Sequence, residues 1–412
     1  MYSDGANWFG GVPAGPGDEA AFGIPLGFSC RVQFTQPASV GGVNIERGSV
    51  QFLLADNQID VGQYLDIGAA AGDGGSLRVR SGVMQLTEGD IRVGTGSSGG
   101  LIVDPGGTVA LLNGTAVFGS AEADGRTFFG TLDVLGGSYT DEGGGQSCYI
   151  NDFARIANGG SYNVRSTSIA RFASFSVDGA SAAGESWEID GSVSVRGGTF
   201  SVEGSVEGEG HLFGALGATL DLRFSGGDAY AGPRISASDQ GTRVLANAIQ
   251  GSSVRVERGA TLEVEESIED TTLLLDLRSR VECGFFAPLP ETDMTLLLDG
   301  PLPVHALMSI DEGVLDGRLT VGLGADRGSN LMLGDVFTML ESVQPLQGSF
   351  SEILLPRLNR GLTLQPVVTS NALSFVVVPG PGVPVGALMI AGWMTSRGSR
   401  RSARPDRATS SR

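Results

Sequence analysis

The sequence predicts an all-β fold, a right-handed parallel β-helix, on the strength of a recurring phrase and an excess of glycine. The phrase is apolar, any, apolar, any, any, Gly, followed by a second short alternating run. It reads Val43-Asn-Ile45-Glu-Arg-Gly48, Leu77-Arg-Val79-Arg-Ser-Gly82 and Leu101-Ile-Val103-Asp-Pro-Gly106. It returns as Leu132-Asp-Val134-Leu-Gly-Gly137, Val193-Ser-Val195-Arg-Gly-Gly198 and Val254-Arg-Val256-Glu-Arg-Gly259. Alternation places every second side chain on one face, and the glycine between two runs supplies a bend. The 65 glycines follow no G-X-Y period, which excludes collagen, and 41% hydrophobic content is too high for a disordered chain. Repetition at 20 to 50 residues marks a solenoid, whose units bury their apolar faces only by stacking.

Residues 1–40 form the expected N-terminal cap. The opening from Asn7-Trp8 to Phe22 has neither a charged n-region nor an apolar h-region, and it reads as the first turn of a mature domain. Trp8 and Phe22 are expected to cover the open end. Residues 41–290 are the expected β-helix. The phrases begin at 43, 77, 101, 132, 193 and 254, steps of 34, 24, 31, 61 and 61. Each 61-residue step reads as two coils of about 30 residues with the intervening phrase degraded, which gives roughly nine or ten turns in this region. Val43, Val79, Val103, Val134, Val195 and Val256 should point inward. A stack of antiparallel hairpins is the alternative, but no Asn-Gly or Asp-Gly pair follows a regular hairpin spacing.

Residues 291–378, with longer apolar strands such as Leu296–Leu298 and Phe375–Val378, read as a C-terminal β module that closes the helix. Residues 379–412 read as a tail. Val378-Pro379-Gly380-Pro381 should not hold regular structure. The apolar run Val385–Met394 follows, then Arg397, Arg400, Arg401, Arg404 and Arg407. Proline hinge, apolar segment and basic tail in that order belong to a sorting or anchoring signal.

Charge narrows the function. A formal net charge of −19 argues against nucleic acid, since phosphate neutralisation needs a basic face. All 27 positive residues are arginine, so no Schiff-base or P-loop lysine exists. Cys30, Cys148 and Cys283 lie far apart, form no C-x-x-C and read as packed residues; a disulfide stays open if the chain is exported. His211 and His305 have no neighbouring ligand-type cluster and read as structural or surface residues. A Ser-His-Asp arrangement needs long-range folding, and no G-x-S-x-G elbow is present. Asp56, Asp60, Asp66 and Asp73 are candidate carboxylates for a polysaccharide lyase or hydrolase, although 46 carboxylates make such proximity expected by chance. Asp326-Arg-Gly-Ser-Asn330 is a calcium-like loop without the nonapeptide repeat of β-roll proteins, and Asn113-Gly-Thr115 reads as a plain turn. No cofactor is expected.

Val378, Pro379 and Pro381, with Arg397, Arg400 and Arg401, resemble the tail of exported bacterial proteins with a PEP-CTERM-type sorting signal. That family's motif is Val-Pro-Glu-Pro, and Gly380 stands here in place of the Glu. The apolar run of about ten residues is also shorter than the roughly 17 to 25 that span a bilayer. The body is similar to autotransporter-type β-helical passengers, and the Asn7-Trp8 opening and the stretch from Gly334-Asp335 to Phe375 resemble the passenger regions that precede such tails. The resemblance implies export, cell-surface or matrix association, and transient membrane contact through the tail. It brings no catalytic residues. The expected function is a non-enzymatic surface scaffold or adhesion protein that meets extracellular polysaccharide or other surface proteins. The alternative is a carbohydrate-active β-helix enzyme, which a groove floored by aromatics with two facing carboxylates would favour.

Overall fold

The computed structural model describes residues 14–381 apart from 26, 71–73, 122–126, 129, 142–147, 172, 225–228, 289, 291, 300–301 and 325–330. It is a parallel β-solenoid of about 13 turns, on the order of 60 Å long at one strand spacing per turn. Each coil contributes one strand to a flat sheet, turns a corner, contributes two segments to a bent sheet and turns back. The flat sheet runs from Ser29–Gln33 to Glu352–Leu354, and all its pairings are parallel. In the bent sheet the register slips at Val40/Gly42, Gly184/Ser186 and Val264/Ser267, the points where a bulge turns the strand.

Alternation sends the apolar phrase positions inward. Val50, Leu77, Leu101, Leu132, Ala154, Phe175, Val193, Leu212, Ile235, Val254 and Leu273 form one continuous column. Val43, Val79, Val103, Val134, Val195 and Val256 are fully buried, as the spacing predicts. The phrase glycines have a steric basis at the corner between the sheets. Ser81-Gly82, Asn158-Gly159, Leu216-Gly217 and Arg258-Gly259 are consecutive residues with positive φ, and glycine carries the second of these at little cost.

The coil count differs from the sequence expectation. Each 61-residue step holds three coils, not two: Thr131 stacks on Phe153, Phe153 on Ser174 and Ser174 on Ser192. Ser192 then stacks on His211, His211 on Arg234 and Ile235 on Val254. The missed coils disguise the phrase. Gly214 and Ala237 fill its second apolar position, and Phe175-Ser-Val177-Asp-Gly179 reaches its glycine one residue early. The first phrase is also out of phase. Val43 and Ile45 belong to the bent sheet, paired with Leu65 and Ile67, and the flat-sheet equivalent of Leu77 is Val50.

The ladders run through both boundaries drawn from the sequence. Glu19–Gly23 and Ser29–Gln33 already pair in parallel with Ala38–Leu53, and Phe22 packs edge-on against Phe52 at 5.9 Å. Trp8 lies outside the described residues. Past residue 290, Asp293–Leu298 and Arg318–Leu323 continue the flat sheet in parallel. The bent sheet closes differently. Val336–Ser342 pairs antiparallel with Ala372–Pro379, which pairs antiparallel with Leu362–Val368, and Phe337 stacks on Phe375 at 5.5 Å.

Regular structure also reaches further than the prolines suggest. Val378 pairs with Thr363 and Pro379 with Leu362, and the Gly380 amide donates to the Gly361 carbonyl at 2.7 Å. Pro379 is tolerated because it is the last residue of its strand, where a missing N–H interrupts nothing downstream.

Candidate functional site

The outer faces of the rod carry what chemistry the described residues offer. The bulges of the bent sheet create a groove of about 440 Å³ along the rod, lined in part by Arg223, Glu263, Glu265, Arg280, Glu282 and Cys283. Glu263 and Glu282 lie on adjacent rungs, the spacing a pair of catalytic carboxylates would need. Both are committed to guanidinium groups: Arg243 holds Glu263 at 2.8 Å and Arg280 holds Glu282 at 2.7 Å. Next to them Arg223 clamps Asp221 at 2.6 Å, and its hydrogen bonds hold that carboxyl below the usual range. With their oxygens engaged by guanidinium groups, Glu263 and Glu282 are not free to face a substrate as a pair. Cys283 is no better placed as a nucleophile, since burial pushes its thiol up to about 12.

Among the described residues no aromatic side chain lines this groove. Several large rings are inside the coil: Tyr139, Tyr162, Phe175, Trp187 and Phe200 are all fully buried, whereas Phe28 and Tyr149 are exposed. Tyr139 stacks on Tyr162 at 5.6 Å, and Trp187 meets Phe200 edge-on at 4.6 Å. The Tyr162 hydroxyl is satisfied within the core by Thr167 at 2.9 Å.

Upstream on the bent sheet the outer surface is small and hydroxylated. Thr108, Ser138, Ser161, Ser181, Thr199 and Thr219 occupy equivalent positions on six successive rungs, and the Ser161 hydroxyl donates to that of Ser138 at 3.0 Å. On the flat sheet, Arg155 reaches Asp178 at 3.8 Å, and Arg78 and Arg80 reach Asp104 at 3.6 and 3.2 Å. Asp133, in the row between Arg78 and Arg155, is raised from its usual value by desolvation, which these two arginines only partly offset. Ion pairs thus link successive coils along the outside of an acidic chain.

The residues singled out in the sequence disperse. Asp60 and Asp66 sit on separate segments of Gln58–Ile67, Asp66 is clamped by Arg92 at 2.7 Å, and Asp56 occupies a corner with positive φ. Asp73 and the 326–330 loop lie outside the described residues, as do Arg397, Arg400 and Arg401. Pro381 is exposed just beyond the last strand. Among the described residues no group of three His, Cys, Asp or Glu side chains is placed to hold a metal ion. No disulfide joins Cys30, Cys148 and Cys283. Asn113 lies in an exposed turn and His305 in an exposed loop.

His211 is the exception. Its Nε2 lies 2.8 Å from the Ser236 hydroxyl, 25 residues away in sequence and one coil along. Sequence reading missed this contact because it depends on the register of a coil whose phrase is degraded. The signal available was an outward position, His211, two residues ahead of Phe213 in a strand that alternates buried and exposed residues.

No protein-family model matches the chain, and no curated protein matches it. Among solved structures the chain is similar to the Hap adhesin of Haemophilus influenzae, with 11% identity and a TM-score of 0.24. The match covers 87% of this chain and 57% of the adhesin.

Proposed function

We propose that this chain is an exported, non-enzymatic protein of the cell surface or extracellular matrix, whose rigid rod presents its outer faces for scaffolding or adhesion. The observation that carries this reading is the distribution of side chains. Tyr139, Tyr162, Phe175, Trp187 and Phe200 are spent in the core, and the groove that holds the paired carboxylates has no aromatic ring among its described lining residues, with each of those carboxylates held by an arginine. What remains outside is a long surface of hydroxyl groups and inter-coil ion pairs. Core burial grows lengthwise with each coil, so such a rod extends its display surface without needing a larger core.

Two measurements test the reading. Cells expressing the chain behind a functional export signal should lose it to protease added outside, and recovery only from the cytoplasm would end the surface assignment. The purified chain, incubated with acidic and neutral polysaccharides, should release no new reducing ends and no unsaturated sugars. Release abolished by Glu263→Gln would establish the carbohydrate-active alternative.

A further inference from the structure

On the outer side of the flat sheet, three successive rungs bring two guanidinium groups, one imidazole, two hydroxyls and one aromatic ring together. His211 pairs in register with Arg234, Phe213 with Ser236, and Ser236 with Arg255. A groove of about 470 Å³ runs across them, lined in part by Glu209, His211, Arg234, Ser236, Ser253 and Arg255. The Phe213 ring lies 6.4 Å from the imidazole on the same face, half-buried.

The arginines here differ in kind. Arg255 is held by Glu257 through two hydrogen bonds of 2.7 and 2.9 Å. Arg234 is exposed and joins none of the ion pairs among the described residues, whereas Arg223, Arg243, Arg280 and Arg318 each hold a carboxylate. An uncommitted guanidinium on a chain of net charge −19 is a planar fork of donors open to a carboxylate. Burial and the charge of Arg234 hold the imidazole below its usual range, so near neutral pH it stays uncharged and can both donate and accept a hydrogen bond. The Ser236 and Ser253 hydroxyls add adaptable partners, and the Phe213 ring offers an apolar edge.

We infer that the Arg234–His211–Ser236 groove binds an acidic sugar unit, with its carboxylate on Arg234, its hydroxyls on His211 and Ser236, and its C–H face toward Phe213. One free guanidinium matches one singly charged carboxylate, while a doubly charged phosphate would call for a second free cation. This assignment rests on the surface-display reading and gives it a ligand class, an acidic polysaccharide.

The test is titration calorimetry of the full chain with galacturonate oligomers, their methyl esters and a sulfated oligosaccharide. The account expects saturable binding of the free acid, loss on esterification, and weakening with salt. Arg234→Gln should weaken it about tenfold or more, the effect of losing one charge-assisted hydrogen-bonded pair. His211→Gln should weaken it less. Arg165→Gln, on the other sheet, is the folded control and should bind as the parent does. Equal binding of acid and ester, preference for the sulfated oligomer, or no change in Arg234→Gln would each overturn the assignment. External protease accessibility is a separate readout, so failure of this groove leaves the surface reading standing, and failure of the surface reading is seen without it.

Discussion

The coils around residues 139–200 and those around 254–298 have the same architecture and opposite ways of filling it. The first set is aromatic. Tyr162 faces Ala182, which faces Phe200, and Ala154 faces Phe175, so three of the large rings sit beside an alanine, while Tyr139 stacks directly on Tyr162. The second set is aliphatic and even apart from the buried Phe286: Val254, Leu273 and Met294 form one column, and Leu262 and Val281 lie in another. A solenoid's cross-section is fixed by its backbone, so a large side chain has to be offset by small ones nearby, on a neighbouring rung or within the same coil. The fold therefore constrains the sum over neighbouring rungs rather than the residue at each position.

The largest expected effect tests that contrast at its fullest ring. Trp187→Ala should cost about 3–5 kcal/mol in denaturant unfolding, at the upper end of large-to-small core losses. Its indole N–H is buried without a hydrogen-bond partner, so Trp187→Phe should cost much less, because no polar contact is lost. Leu275→Ala in the aliphatic set should also destabilise strongly, by about 2–5 kcal/mol. Equal losses for Trp187→Phe and Trp187→Ala would show that the ring's volume is not what matters.

Adding volume separates the two sets further. Ala182→Phe places a ring between Tyr162 and Phe200 and should cost about 1–3 kcal/mol through overpacking. A neutral or stabilising result would mean that the aromatic coils contain unfilled space.

The outer surface should respond more weakly, and with pH. Desolvation raises the Asp133 carboxyl in the folded state. The folded protein therefore holds this proton more tightly than the unfolded chain does. The contribution to stability is present below the unfolded value of about 4 and is lost as pH rises through the folded value. Asp133→Asn should flatten this decline, as read by thermal melts across acidic pH. The smallest effect belongs to Arg165→Gln. Its partner Glu185 is about as exposed as it is, and the loss should stay below about 1 kcal/mol.

Much of the architecture was legible in the sequence because a buried strand in a solenoid must alternate and must turn on residues that tolerate positive φ. The phrases at Leu77, Leu101, Leu132, Val193 and Val254 satisfy both conditions. The aromatic and intermediate coils hid themselves because Ala154, Gly214 and Ala237 look too small for core positions: Ala154 faces Phe175 on the next rung, and the Leu220 side chain of the same coil fills the space at Gly214. Val43-Asn-Ile45 misled in the opposite way, because an inward strand on the bent sheet has the same pattern as one on the flat sheet. The His211–Ser236 contact was invisible for the same reason as the missed coils. It joins residues one coil apart on a diagonal, and the coil there was read as about 30 residues whereas the register pairs His211 with Arg234 and Phe213 with Ser236. Composition could not say that arginines would occupy the groove's carboxylates pair by pair.

The central claim is that the chain is a stack of interchangeable coils set by this register, with three coils in each 61-residue step. Deleting residues 192–210 joins Gly191 to His211 and removes one whole coil in register, placing Leu212 over Phe175. The account predicts a folded, cooperatively melting protein with the parent's β-sheet circular dichroism, and a rod shorter by about one strand spacing, roughly 4.8 Å, in small-angle scattering. Deleting residues 192–221, the 30-residue coil suggested by the phrase spacing alone, should break the ladder and lose cooperativity. A folded 30-residue deletion beside an unfolded 19-residue one would contradict the account.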